Sequence, residues 1–235
     1  MKIKALAVPE GDGVVVKRLM PSQNLRNYDP FVLCDHFDIE SGGFPDHPHR
    51  GFEAITYMLA GGMQHADNLG NRSTVYAGGA QRFTAGKGIV HSEIPQGRAV
   101  GLQLWINLPQ KLKHIEPAYQ QVDAADIKVE KKDGVLLRHI VGEAGIILQT
   151  PVLYLDISLL PQSHYEVHIP DGFRGFVYVL QGHVWLQEQH LHASEALFIE
   201  GVQHLQIQAK DNSQIMVCFG LPHGEPIYQH GPFVD

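Results

Sequence analysis

Two histidines separated by one residue lie in the stretch DHPHRGFE, residues 46–53. On a β-strand, side chains two positions apart point to the same face, about 6–7 Å from each other. A second stretch, GIVHSE at residues 88–93, repeats this spacing with a histidine and a glutamate. If the two strands face each other inside a barrel, three imidazoles and one carboxylate surround one point. The sequence therefore predicts a metal site whose ligands are His47, His49, His91 and Glu93.

The predicted ligand set limits the choice of metal. Three imidazoles and one carboxylate suit Fe, Mn, Co, Ni, Cu or Zn, and the lack of a thiolate argues against structural zinc. In an octahedral field, four protein ligands leave two neighbouring positions for water, substrate or O₂. This arrangement is close to that of non-haem Fe(II) oxygenases. We therefore expect one divalent transition metal, with Fe(II) ranked first and Mn, Co, Ni, Cu and Zn as alternatives.

Four other residues near these stretches have weaker patterns. Glu53 lies four positions after His49 and is predicted to share a strand face with it, so it could be a fifth ligand or a base near the metal, although an ordinary half-exposed strand carboxylate is the commoner case. His36 and His65 have no partner at ligand spacing and are predicted as non-ligands. Cys34 is flanked by apolar residues and is predicted to be buried rather than nucleophilic.

Composition restricts the class of protein. The chain has 235 residues and a formal charge of -7, which fits one large or two small β domains. An acidic chain without a Lys/Arg cluster argues against direct binding to nucleic acid. Two cysteines indicate a reducing compartment, and no apolar run approaches the ~18 residues of a membrane span. With no signal-peptide pattern either, we expect a cytoplasmic protein without membrane contacts.

The second half of the chain repeats the pattern of the first. Residues 176–182 (FVYVLQG) match residues 55–61 (ITYMLAG), and both halves contain short apolar strands punctuated by glycine turns. One short helical turn is expected between residues 108 and 119. The pattern predicts an all-β protein of two similar barrels in tandem. The predicted boundaries are 1–119 for a metal-binding barrel, 120–134 for a connector and 135–235 for a second barrel.

Two of the four predicted ligands have histidine counterparts in the second half. His168 corresponds to the first histidine of residues 46–53, and His204 corresponds to the histidine of residues 88–93. Pro170 and Gln206 stand at the other two positions. We therefore expect no metal in the second barrel.

The quoted stretches resemble the pirin family, within the cupin superfamily. The resemblance is carried by FPDHPHRGFE and TAGKGIVHSEIP and by shorter pieces that extend it over nearly the whole chain, at residues 44–53, 84–95, 29–31, 102–107, 154–156 and 229–233. It implies a bicupin, that is, two tandem antiparallel β-barrels of jelly-roll type, with metal only in the N-terminal one. Transferred by position, the family's ligands would be His47, His49, His91 and Glu93.

The resemblance also implies a function. Pirins are similar to quercetinases, quercetin 2,3-dioxygenases that open the central ring of a flavonol with O₂ and release CO. Glu93 would then also be the catalytic base that takes the flavonol hydroxyl proton. An apolar barrel mouth near Phe44, Met58 or Trp105 would suit a flat aromatic substrate. The sequence identifies no further substrate contact.

A second function of a different class stays open. Other pirins resemble metal-dependent regulators that dock onto a transcription factor or a metabolic enzyme. In this alternative the Fe(II) and Fe(III) forms present different surfaces to a protein partner. A second barrel without ligands is the sequence feature that favours it.

Overall fold

The computed structural model describes residues 1–235, and almost all of its regular structure is β. The single helix is a 3-10 turn at Gln110–Leu112, which lies inside the segment predicted to hold one helical turn. No helix is long and apolar enough to cross a membrane.

Twenty-four strands follow one another along the chain. They are β1 Lys2–Lys4, β2 Leu6–Glu10, β3 Val14–Met20, β4 Phe31–Ile39, β5 Phe44–His49, β6 Phe52–Ala60, β7 Gly62–Asp67, β8 Arg72–Tyr76, β9 Ala80–Thr84, β10 Ile89–Pro95, β11 Ala99–Asn107, β12 Ala118–Val122, β13 Val129–Lys132, β14 Val135–His139, β15 Val152–Leu159, β16 His164–His168, β17 Arg174–Gln181, β18 His183–Leu186, β19 Gln189–His192, β20 Glu195–Glu200, β21 His204–Ala209, β22 Ser213–Gly220, β23 Gln229–His230 and β24 Phe233–Val234.

The unit that carries the predicted site comprises residues 6–126, 148–150 and 223–235. Its seven-stranded sheet has the order β12-β9-β6-β11-β4-β3-β2, and its four-stranded sheet has the order β5-β10-β7-β8. The hairpin β23-β24 belongs to the same unit. All paired strands are antiparallel.

The other unit comprises residues 1–5, 127–147 and 151–222. Its sheets have the orders β1-β20-β17-β22-β15-β14-β13 and β16-β21-β18-β19. Each central strand has a counterpart at the same place in the first unit, for example β17 for β6 and β21 for β10. The prediction of an all-β protein with two antiparallel barrels is therefore confirmed.

Two edge strands, β12 and β13, extend into the stretch that was predicted as a connector. β12 pairs with β9 in the first unit, and β13 pairs with β14 in the second. All four residues of β13, VEKK, are exposed. An edge strand exposed on both faces has no alternation of apolar and polar residues, so periodicity could not reveal it.

The second barrel has a mainly aliphatic interior, and the two histidines that were matched to the predicted ligands do not face into it. His168 and His204 are opposite each other in β16 and β21 and are both exposed, whereas the neighbouring pair Val167 and Leu205 is buried. The predicted equivalence of His168 and His204 with the ligand histidines is thus wrong in orientation. A shift of one residue along a pleated strand reverses the face of every side chain.

Candidate metal centre

The first and second predicted ligand stretches form neighbouring antiparallel strands. β5 pairs with β10 so that His47 is opposite His91 and His49 is opposite Ile89. Gly51 follows β5 with a φ of +83°, and an added Cβ there would lie 1.8 Å from the Val234 carbonyl oxygen. A glycine at this position therefore allows the chain to leave β5 and enter the other sheet as β6.

Three imidazoles meet on this pair of strands. His47, His49 and His91 each offer a nitrogen, and these atoms all lie within 4.8 Å of one another. The ring centroids are 4.5 Å apart for His47–His49, 4.5 Å for His47–His91 and 5.0 Å for His49–His91. An ion with metal–nitrogen bonds of about 2.0–2.1 Å separates its nitrogen ligands by roughly 3 Å. Small ring rotations would therefore bring all three onto one ion.

Backbone carbonyls orient two of the imidazoles. His47 Nδ1 is 2.8 Å from the Pro45 oxygen, and His49 Nδ1 is 3.1 Å from the Pro232 oxygen. A carbonyl only accepts, so each Nδ1 carries the proton and each Nε2 keeps a lone pair for a metal. Burial, together with the nearby His47, lowers the pKa of His49 to about 3, which keeps this ring neutral at pH 7.

A chain of two further groups orients the third imidazole. His65 Nε2 donates to Asp67 Oδ2 at 3.0 Å, and His65 Nδ1 lies 3.4 Å from His91 Nδ1. The tautomers that satisfy both contacts place the His91 proton on Nδ1 and leave its Nε2 free. That Nε2 is buried and has no hydrogen-bond partner. A buried nitrogen without a partner lowers the stability of the folded protein unless it binds a ligand. A divalent transition metal is a suitable ligand for the three imidazoles.

His65 and Asp67 are the contribution that sequence reasoning missed. His65 lies outside the three-imidazole group, as does His36 on β4, so neither is placed as a ligand. His65 is nevertheless fully buried and stacks on Tyr119 with 4.3 Å between ring centroids. The available signal was its spacing of two from Asp67 on β7, the strand that pairs with β10.

Glu93 presents a buried carboxylate held only by neutral donors. Its Oε1 accepts from Thr56 Oγ1 and Gln81 Nε2, both at 2.7 Å, and its Oε2 accepts from Gln103 Nε2 at 3.0 Å. A bulge places Glu93 opposite Phe44, one residue beyond regular pairing, and its oxygens are not part of the 4.8 Å group. Its role as a fourth ligand stays a prediction.

Glu53 is part of a different cluster. It is fully buried, accepts from Thr84 Oγ1 at 2.7 Å and from the Gln149 backbone N–H at 2.8 Å, and has its pKa raised by burial. The expectation that it shares a face with His49 is wrong, because the turn at Gly51 places the two residues in different sheets. The half-exposed alternative is wrong as well.

A cavity of about 930 Å³ opens onto the site. His47, His49 and Glu93 contribute to its wall, and Phe44 and Trp105 line it as predicted. Its other apolar lining residues include Leu33, Phe37, Met63 and Ile227. Met58 does not line it, because this side chain is fully buried in an apolar cluster of the same unit. Trp105 Nε1 is buried and has no hydrogen-bond partner in the protein.

Comparisons with known proteins place the chain in a family. The family model Pirin matches residues 13–106, and the model for the pirin C-terminal cupin domain matches residues 154–235. The chain belongs to the pirin family. A pirin-like protein of Arabidopsis thaliana is 42% identical over 255 residues, which cover 99% of this chain and 82% of the relative. Human pirin is 40% identical over 240 residues, covering 96% of this chain and 83% of human pirin.

A solved structure gives a second comparison. Quercetin 2,3-dioxygenase from Acinetobacter baumannii superposes with a TM-score of 0.92 and 29% identity, covering 100% of this chain and 90% of the dioxygenase. The resemblance to pirins and the bicupin fold are therefore confirmed. In this pirin, the three imidazoles and Glu93 lie within the matched N-terminal part, and strands β16–β22 of the other barrel lie within the matched C-terminal cupin domain.

Proposed function

We propose that this pirin is a metal-dependent dioxygenase of the quercetin 2,3-dioxygenase type, with Fe(II) as its ion. The observation that carries the proposal is the arrangement at the cavity wall. Three imidazoles form one group, and two of them, His47 and His49, line the same cavity as the buried carboxylate of Glu93. The similarity to the Acinetobacter baumannii quercetin 2,3-dioxygenase supports this reaction class.

The cavity suits a flat aromatic substrate. Pockets for small organic ligands have volumes of roughly 300–1,000 Å³ and mostly apolar walls. The volume of about 930 Å³ lies within this range, and Trp105 and Phe44 offer aromatic surfaces. Trp105 stacks on Phe52 with 4.1 Å between ring centroids, so the indole plane is held in place.

Glu93 is the proton acceptor in this proposal. Oε1 has two hydrogen-bond donors, whereas Oε2 has only Gln103 and keeps lone pairs for another donor. The proton of the flavonol 3-hydroxyl passes to Glu93 Oε2, which leaves the substrate oxygen anionic. When bound, the metal supplies a Lewis acid for that anionic oxygen and the redox chemistry that ring opening with O₂ requires. His47, His49 and His91 would hold it through Nε2.

The test combines metal loading with a pair of substrates. Protein loaded separately with Fe, Mn, Co, Ni, Cu or Zn is mixed with quercetin, while O₂ consumption and loss of the flavonol absorption band are followed. We expect turnover with Fe(II), release of CO, and no turnover of the matched flavone without a 3-hydroxyl. If no metal form consumes O₂ with the flavonol, the dioxygenase proposal is wrong.

The regulatory alternative can be separated by the same preparations. His47 is partly exposed, so a change at the ion reaches the surface of this unit directly. If no metal form shows turnover, and the Fe(III) form captures one stoichiometric protein partner that the Fe(II) form does not, the regulator becomes the better assignment.

A further inference from the structure

Three more histidines share the outer face of the hairpin β18–β19 in the second unit. His183 is opposite His192, and Trp185 is opposite His190, so these four side chains lie on one side of the hairpin. Three of the four alternate residues are fully buried on the other side, namely Val184, Leu186 and Leu191. The strands therefore present three imidazoles and one indole outward.

A short turn fixes this arrangement. The two residues between β18 and β19, Gln187 and Glu188, have φ values of 47° and 62°. Two consecutive residues in the left-handed region are typical of a type I′ hairpin turn, which sets the register of both strands. The relative positions of the three histidines thus follow from the backbone rather than from surface side-chain packing.

The ring distances approach those of the buried group. The centroids are 4.6 Å apart for His183–His192, 4.5 Å for His190–His192 and 6.0 Å for His183–His190. Three imidazoles on one ion have centroids about 4.5–5.2 Å apart, given metal–nitrogen bonds of about 2.0–2.1 Å. Two of the three pairs agree with this geometry. The third pair is farther apart, so His183 must move together with Asp211, and both side chains are free to do so because they are 42% and 46% exposed.

Two observations favour metal binding by these rings. Asp211 Oδ2 accepts from His183 Nδ1 at 2.5 Å, and Asp211 Oδ1 is fixed by the His183 backbone N–H at 2.8 Å. A carboxylate on Nδ1 leaves Nε2 as the free ligand atom and makes it more basic. Independently, His190 Nε2 is buried and has no hydrogen-bond partner. One ring is therefore oriented by a carboxylate, and another holds an unsatisfied nitrogen within the cluster.

We propose that His183, His190 and His192 form a second metal site on the outside of the C-terminal cupin unit. The donors are neutral imidazoles only, so the site suits Zn²⁺, Ni²⁺ or Cu²⁺ rather than Ca²⁺ or Mg²⁺. Asp211 orients His183 from behind, and water completes the coordination. The site is separate from the aliphatic interior of its barrel, and it does not depend on the proposed dioxygenase reaction.

Metal stoichiometry tests the proposal. Each protein is dialysed to equilibrium against Zn²⁺, and bound zinc is counted by elemental analysis. We expect two equivalents for the wild type, one for His190→Asn/His192→Asn and one for His47→Asn/His49→Asn. In the second double variant the remaining ion reports on the outer site alone, so failure of the buried group and failure of the outer group are distinguishable.

A matched control excludes general binding by surface histidines. His168 and His204 are an exposed cross-strand pair in the same unit, with 5.5 Å between ring centroids and no third imidazole. His168→Asn/His204→Asn is expected to keep two equivalents. The proposal is wrong if the His190/His192 double variant binds as much zinc as the wild type, or if the His168/His204 variant loses as much. Circular dichroism and the thermal midpoint establish that each variant is folded.

Discussion

Replacing His65 tests whether the chain from Asp67 through His65 supports the metal centre. His65→Phe keeps a flat ring that can still stack on Tyr119, but it removes the acceptor for the His91 Nδ1 proton. His65→Asn is the intermediate variant, because its shorter amide can accept from His91 without reaching Asp67. Neither change touches the three-imidazole group itself.

The size of the effect follows from the hydrogen bond that His65→Phe removes. In this variant the buried Nδ1–H of His91 has no acceptor, which costs about 1–3 kcal/mol. Groups that orient metal-binding histidines typically change metal affinity by about 10–100-fold, or roughly 1.4–2.7 kcal/mol. We therefore expect the Kd for Fe(II) to rise about 10–100-fold in His65→Phe. In His65→Asn the expected rise is about tenfold or less.

Competition with a chromophoric chelator gives the Kd values, and urea unfolding of the metal-free proteins gives their stability. The two measurements are needed together, because removing the buried His65–Asp67 pair also changes folding. If His65→Phe binds Fe(II) as tightly as the wild type, the proposed orientation of His91 is wrong. The reasoning also fails if His65→Asn weakens binding more than His65→Phe does.

Three other substitutions have equally specific outcomes. Glu93→Gln is expected to keep the metal but to lower turnover of quercetin by about 100-fold or more, measured as loss of the flavonol band, because an amide cannot take the hydroxyl proton. His49→Ala should lower iron content sharply in elemental analysis, and unchanged iron would contradict the ligand assignment. Lys113→Met should lower the free energy of unfolding in urea by about 2–5 kcal/mol, because the oxygens of Gly51, Asn107 and Val234 lose their common donor. The control is Lys111→Met at a nearby exposed position, which should change the free energy of unfolding by less than about 0.5 kcal/mol.

The grouping of the three predicted ligand histidines could be anticipated because local chain geometry places them. Residues His47 and His49 need only a strand to share a face, and the same holds for His91 and Glu93. The glycine-punctuated repeat of strands likewise predicted two similar barrels. In the structure, the pairing of β5 with β10 brings the two stretches together. Their separation along the sequence is compatible with this pairing.

The residues that orient the ligands could not be predicted in the same way, because their contacts are distant in sequence. The acceptor for His49 is the Pro232 oxygen, 183 positions away along the chain. His204 is exposed whereas the adjacent Leu205 is buried, and a match of short sequence patterns cannot detect which of two neighbouring residues faces the core. Glu53 was misplaced because the turn at Gly51 moves the chain into another sheet.

The C-terminal segment is consequently a structural part of the metal centre. Lys113 Nζ donates to the Gly51 oxygen at 3.0 Å and to the Val234 oxygen at 2.8 Å, which joins the end of the first ligand stretch to β24. The Val234 backbone N–H donates to the Arg50 oxygen at 3.1 Å. Because Pro232 lies just before β24, these bonds also hold the carbonyl that selects the His49 tautomer. A change that releases β24 should therefore weaken metal binding without altering any ligand, since His49 Nδ1 would lose its acceptor.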